Sequence, residues 1–160
     1  MHPETARFVE QMGLLWAEEG FTRIAGRIYA LALLSPKPLS LDEMSTTLQV
    51  SKPSISNDAR MLHRIGLIER VGFPGDRKDY YQLTRDSIVR SIEARILRVE
   101  AFQKTMAGAS TLPISDEDVL QRIDAHNLAN RTVIEALQKI VTALKTSNPS
   151  PPPHRRSSRK

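Results

Sequence analysis

The chain has 160 residues, 40% of them hydrophobic, enough for one compact domain or a small domain with a helical appendage but not for two large domains. It contains no cysteine, which excludes disulfides, thiolate metal sites, cysteine nucleophiles and cysteine-based redox sensing, and fits a cytoplasmic location. The net charge is +5, yet Arg155, Arg156, Arg159 and Lys160 supply four of the 23 basic residues, leaving 19 against 18 acidic ones, so recognition by charge has to be local.

The start, Met1-His2-Pro3-Glu4, lacks the charged-then-apolar pattern of a signal peptide, and no stretch approaches the roughly 20 apolar residues of a membrane helix. A soluble, cytoplasmic protein with no membrane partner is expected. From Thr5 to Glu19, Phe8, Met12, Leu15 and Trp16 recur at helical spacing, predicting an amphipathic helix that ends near Gly20. Arg23 to Leu34 predicts a second, buried helix through Ile24, Ile28, Leu31, Leu33 and Leu34, stopped by Pro36 and Pro38.

Ser40-Leu41-Asp42-Glu43 has the spacing of a capping box, in which the serine hydroxyl takes the Glu43 N–H and the Glu43 carboxylate reaches back. It opens a short helix with Leu41, Met44 and Leu48 facing inward. After a turn at Gln49 and Val50, Ser51 caps another helix whose inner face is Ile55, Ala59 and Leu62, and Gly66 ends it. Leu67–Val71 and Asp79–Leu83 carry strand-forming residues around the loop Gly72-Phe73-Pro74-Gly75-Asp76. Ser40 to Leu83 therefore reads as a helix-turn-helix followed by a two-stranded wing.

Helical periodicity returns from Asp86 to Met106 through Ile88, Ile92, Ile96, Val99, Phe102 and Met106, and fades at Gly108 and Pro113. Ser115-Asp116-Glu117-Asp118 supplies a cap and acids suited to the start of a last helix running to about Lys145. Its seam is Leu120, Ile123, Asn127, Asn130, Ile134, Leu137, Val141 and Leu144, a heptad-like series that calls for a partner helix. Asn127 and Asn130 either fix the register of that pairing or are solvated where helices splay. Residues 146–160, rich in proline and then basic, are expected to be disordered and either to add unspecific attraction to DNA or to act only as a soluble end.

With Ile55, Ala59 and Leu62 committed to a core, the helix after the turn presents Lys52, Ser54, Ser56, Asn57, Arg60 and Arg64 outward. Six Lys and Arg between Lys52 and Lys78 stand against Asp58, Glu69 and Asp76. In a helix-turn-helix this second helix enters the major groove, where Arg60 could take a guanine edge and Asn57 an adenine edge. Ser51 and Lys52, at the positive start of that helix, suit phosphate, and Ser40 is a further candidate for contact with DNA. At the wing tip Arg77 would enter the minor groove and Lys78 meet phosphate, with Asp76 pairing Arg77. Solvated surface charges, or a winged helix serving as a protein-interaction module, are the competing readings.

Gly26-Arg27-Ile28-Tyr29-Ala30, Val50-Ser51-Lys52-Pro53-Ser54-Ile55-Ser56 and Gly75-Asp76-Arg77-Lys78-Asp79-Tyr80-Tyr81 together resemble the GbsR-type branch of the MarR-type winged-helix transcriptional regulators. The resemblance covers roughly Arg7 to Leu83, with the C-terminal helices alike only in architecture. Thr22 stands where the branch often has proline, and Pro53 where it often has glycine.

The fold so implied is mainly α with a small β-wing. N-terminal helices span 1–35, a winged helix-turn-helix 36–84, and two dimerisation helices 85–145. The implied partners are double-stranded DNA and a second copy, joined through N- and C-terminal helices on an imperfect palindrome; the seam of Leu120, Ile123, Ile134, Leu137, Val141 and Leu144 separately calls for such a dimer. Repression is the expected mode, with activation the alternative. Some members respond to small molecules, and Trp16, Phe21 and Tyr29 could line an effector pocket, although a lone tryptophan also suits plain core. The four histidines, His2, His63, His126 and His154, have no metal-ligand spacing, and no phosphate loop or nucleophile elbow is present. No cofactor, metal or catalytic residue is expected, with His63 at the edge of the DNA-facing helix.

Overall fold

The computed structural model describes residues 1–109 and 111–147. The expected proline-rich tail falls almost wholly outside the described residues, as do His154 and the four terminal cations. The elements in chain order are α1 (Pro3–Glu18), α2 (Arg23–Leu34), β1 (Leu39–Ser40), α3 (Leu41–Leu48), α4 (Lys52–Arg64), β2 (Glu69–Val71), β3 (Tyr80–Gln82), α5 (Ser87–Ala109) and α6 (Glu117–Ser147). They divide into two compact units, Met1–Ser91 and Ile92 onward. Among the described residues no helix is long and apolar enough to cross a membrane.

The first unit is a winged helix-turn-helix built on α1 and α2. Its core joins Val9, Ala25, Ile28, Met44, Leu48, Ile55, Ala59, Leu62, Ile68 and Tyr81, each at most 2% exposed. The inner face expected for α4, Ile55, Ala59 and Leu62, is buried completely. Along α1 the expectation needs correction. The centre of its buried face is Val9 and Gly13, Phe8, Met12 and Trp16 flank the core, and Leu15 is 55% exposed.

Glycine causes that rotation. A Cβ on Gly13 would stand 2.9 Å from the Arg23 carbonyl oxygen, and one on Gly26 would stand 2.5 Å from the Met12 carbonyl oxygen. The two helices approach backbone to backbone there, so the small residues rather than the large ones mark the line of contact. Leu33 and Leu34, expected inside, are exposed on α2.

The helix-turn-helix is specified by local chemistry. Glu43 N–H donates to Ser40 Oγ at 3.2 Å, and Ser40 N–H donates to a Glu43 carboxylate oxygen at 2.7 Å, so the capping box is closed. The chain leaves α3 through Gln49 in the left-handed region, φ 54°. Ser51 caps α4 by accepting from Ser54 N–H, and Gly66, φ 83°, turns the chain away from it.

The sheet has three strands in the order β1-β3-β2, both pairings antiparallel. Arg70 lies opposite Tyr81 in the wing, and Leu39 opposite Tyr81 on its other side. The two-residue β1 is absent from the sequence reading because a strand that short, just after Pro38, has no alternation to detect. It ties the start of α3 to the base of the wing.

In the second unit α6 begins where Asp116, not Ser115, accepts from Val119 N–H at 3.0 Å. The helix α5 ends at Ala109, between Gly108 and Pro113 where its periodicity fades. Ile96 is its one buried apolar residue, whereas Ile88 and Phe102 are exposed.

Candidate nucleic-acid interface

The outer side of α4 carries most of the residues expected to face DNA. Ser51, Lys52, Asn57, Arg60 and Arg64 are exposed, and Ser54 and Ser56 half-buried. Arg60 Nε donates to the Ser56 carbonyl at 3.2 Å, laying its stem along the helix with the guanidinium at the surface. The Ser51 and Ser54 hydroxyls share one hydrogen bond of 2.8 Å at the helix start.

Ser40 is different from these. It is 5% exposed, and its hydroxyl both accepts from Glu43 N–H and donates to the Glu43 carboxylate. The structure thus sets Ser40 inside the capping box, apart from the open face. The Ser40 N–H and hydroxyl, followed by the Lys37 ammonium, hold the Glu43 carboxyl down at about 2.

At the wing tip Gly75 takes φ 81°, a conformation that spares glycine the Cβ clash. Asp76 then organises the turn, accepting from Lys78 N–H at 2.9 Å and from the Tyr80 hydroxyl at 2.7 Å. These two bonds, the Tyr80 one foremost, lower the Asp76 carboxyl, and the bond to Asp76 raises the Tyr80 phenol. The expected Asp76–Arg77 pair is replaced by these contacts, because the hairpin brings Tyr80 back to Asp76 and both of its carboxylate oxygens are engaged. Among the described residues, Arg77 makes no ion pair or hydrogen bond within the protein and stands exposed.

Asp79, on the strand side of the tip, pairs with Arg70 across the wing at 2.5 Å. Phe73 packs edge-on against Tyr80 with ring centroids 4.9 Å apart. The tip is thereby braced on both faces, and Arg77 and Lys78 project from a defined turn.

Asp42, which the sequence reading passed over, stands between the two cationic elements. One carboxylate oxygen lies 2.7 Å from Lys52 Nζ at the start of α4, the other 3.8 Å from Lys78 Nζ on the wing. The Lys52 contact, followed by Lys78, lowers the Asp42 carboxyl below the ordinary range. Nothing in the ten-residue separation of Asp42 and Lys52 announces this contact, since it depends on the turn between two helices.

His63 is exposed, with Nδ1 3.2 Å from the Ile68 carbonyl and its ring edge-on to Tyr81. The three aromatic residues singled out for an effector do come together. Trp16 stacks on Tyr29 at 4.9 Å and tilts against Phe21 at 5.1 Å, and burial raises the Tyr29 phenol. The rings fill one another's space, forming a cluster on the edge of the core.

On α6 the seam is the less exposed stripe. Asn127 is buried and Ile123, Asn130, Ile134, Leu137, Val141 and Leu144 are half-buried, while Leu120 is 36% exposed. The stripe meets α5 of the same chain. Gln103 Nε2 donates to Asn127 Oδ1 at 3.3 Å, Lys145 pairs with Glu93 at 2.7 Å, and Val141 shares a cleft with Ile96 and Leu97. The partner helix that the heptad pattern calls for is thus supplied in part by α5. Leu97, Phe102, Leu128, Val133 and Ile140 remain exposed in this unit.

No family model matches the chain. It is 36% identical over 102 residues to the HTH-type transcriptional regulator MmpR5 of Mycobacterium tuberculosis, a stretch covering 63% of this chain and 62% of that relative's length. A solved structure described as a transcriptional regulator superposes with a TM-score of 0.82 at 27% identity, covering 90% of this chain and 99% of its own. The winged-helix fold of this chain thus matches that of a solved transcriptional regulator.

Proposed function

We propose that the chain is a cytoplasmic, DNA-binding transcriptional regulator of the MarR type, in the GbsR-like branch, that acts as a homodimer and represses from an imperfect palindrome. One observation carries the reading. Asn57, Arg60 and Arg64 lie exposed on the side of α4 opposite its buried Ile55, Ala59 and Leu62, and the braced wing presents Arg77 without a partner among the described residues. A polar, donor-rich helix with a cationic hairpin beside it suits base edges in the major groove and phosphate or minor groove alongside. The likeness to MmpR5 and to the solved regulator supports the same assignment.

Pairing of two copies would proceed through α5 and α6. The seam residues Leu120, Ile123, Ile134, Leu137, Val141 and Leu144 are incompletely covered by α5, and Leu97, Leu128 and Ile140 widen the apolar surface open to a second chain. Two recognition helices in such a dimer address half-sites about one DNA turn, roughly 34 Å, apart. Selection of bound duplexes from random sequence tests the reading, with enrichment of a two-fold-related motif expected. No enrichment at low salt, or sedimentation as a clean monomer of 18.0 kDa at micromolar concentration, would refute it.

A further inference from the structure

Asp42 is the second residue of α3, and its carboxylate is paired with two lysines. Those lysines come from separate elements, Lys52 opening α4 and Lys78 closing the wing turn. Both are more than half exposed, and the carboxylate between them is 48% exposed, so the cluster is open to a ligand from solvent. Two ammonium groups thus converge on a single anionic group at the corner where recognition helix and wing meet.

A DNA phosphate has the charge sign of that carboxylate and prefers the same donors. We propose that Asp42 is an internal competitor for the DNA backbone: it occupies Lys52 and Lys78 in the free protein and yields them to phosphate on binding, weakening association at every sequence. The inference rests on the DNA-binding reading above. Exposed ion pairs are individually weak, so the exchange is readily made. The displaced carboxylate nonetheless stays beside the incoming phosphate and repels it. The cluster presents a net charge of about +1 where the two lysines alone would present +2, and fewer counterions are released when it is neutralised.

The test is fluorescence anisotropy of the full chain on a labelled random-sequence duplex, across about 50 to 200 mM salt, where phosphate contacts dominate the slope. Asp42→Asn is expected to bind about two- to tenfold more tightly at the low-salt end, with a salt slope steeper by up to about one. Asp42→Glu, which keeps the charge, should retain the parent's slope. Glu18→Gln, which makes the same change in net charge at a remote exposed position, should leave binding as it was.

Unchanged affinity and slope in Asp42→Asn would overturn the proposal, as would weaker binding with a lowered melting temperature, which marks a purely structural role. So would an Asp42→Glu variant that behaves like Asp42→Asn. A parent protein that binds no duplex even at low salt would instead refute the DNA-binding reading, and the competitor role with it.

Discussion

Thr22 Oγ1 donates to Asp58 Oδ2 at 2.8 Å while accepting from Ala25 N–H at 2.9 Å, so one hydroxyl joins the start of α2 to the middle of α4. Asp58 is 4% exposed, and a buried carboxylate deprived of its donor is costly. Thr22→Val and Asp58→Ala should each destabilise the fold by about 1–3 kcal/mol. A double-mutant cycle by urea unfolding should show coupling of about 0.5 kcal/mol or more. Strict additivity would mean that the contact contributes nothing.

The approach of α1 and α2 leaves no room for a methyl group at Gly26. Alanine is ordinarily the better helix former by about 1 kcal/mol, so at an open helical position Gly→Ala would stabilise. Here the added Cβ meets the Met12 carbonyl at 2.5 Å and Trp16 Cβ at 2.8 Å. Backbone has to move, and overpacking of that kind costs about 1–3 kcal/mol. Gly26→Ala should therefore lower the melting temperature, while Gly108→Ala, with nothing within 4 Å of its Cβ, should raise it or leave it unchanged.

The capping box gives the stability of the first unit an acid limit. The Glu43 carboxyl is lowered from 4.5 to about 2 by the Ser40 N–H and hydroxyl and by Lys37. A group depressed on folding stabilises above its unfolded value, and that contribution is lost as pH falls through the folded one. The loss should fall between about pH 4.5 and 2. Equilibrium unfolding from pH 6 downward checks this: Glu43→Gln should be less stable than the parent at pH 6 and lose less stability across that window. Parallel pH curves for the two proteins would contradict the assignment.

The fold is legible in the sequence where one short-range rule suffices. Ser40 and Glu43 form a capping box because their spacing permits no better use of either side chain, and Ile55, Ala59 and Leu62 are buried because a helix leaves them on one face. Longer-range relationships were less legible. The buried Asp58 reads as a surface charge until Thr22 is brought beside it, and Leu15 reads as core until two glycines set where α1 and α2 touch. Asp42 meets Lys52 and Lys78 only after the turn and the wing are folded. The seam of α6 was visible as a pattern, but the pattern could not say that α5 of the same chain takes part of it.

The division of labour between helix and wing predicts two different losses. Arg60 lies on the outer face of α4 with its stem held by the Ser56 carbonyl, within reach of base edges if α4 enters the major groove. Arg60→Ala should cost about 1–3 kcal/mol at the selected site and relax the preference at one base position. Among the described residues Arg77 has no partner, and it sits on a hairpin tip that can meet the minor groove or phosphate. Arg77→Ala should weaken binding to selected and random duplexes by similar factors, with a salt slope shallower by up to about one. Gel shifts with both duplexes across a salt series separate the two behaviours, and two variants that bind as the parent does would rule out this docking of α4 and the wing.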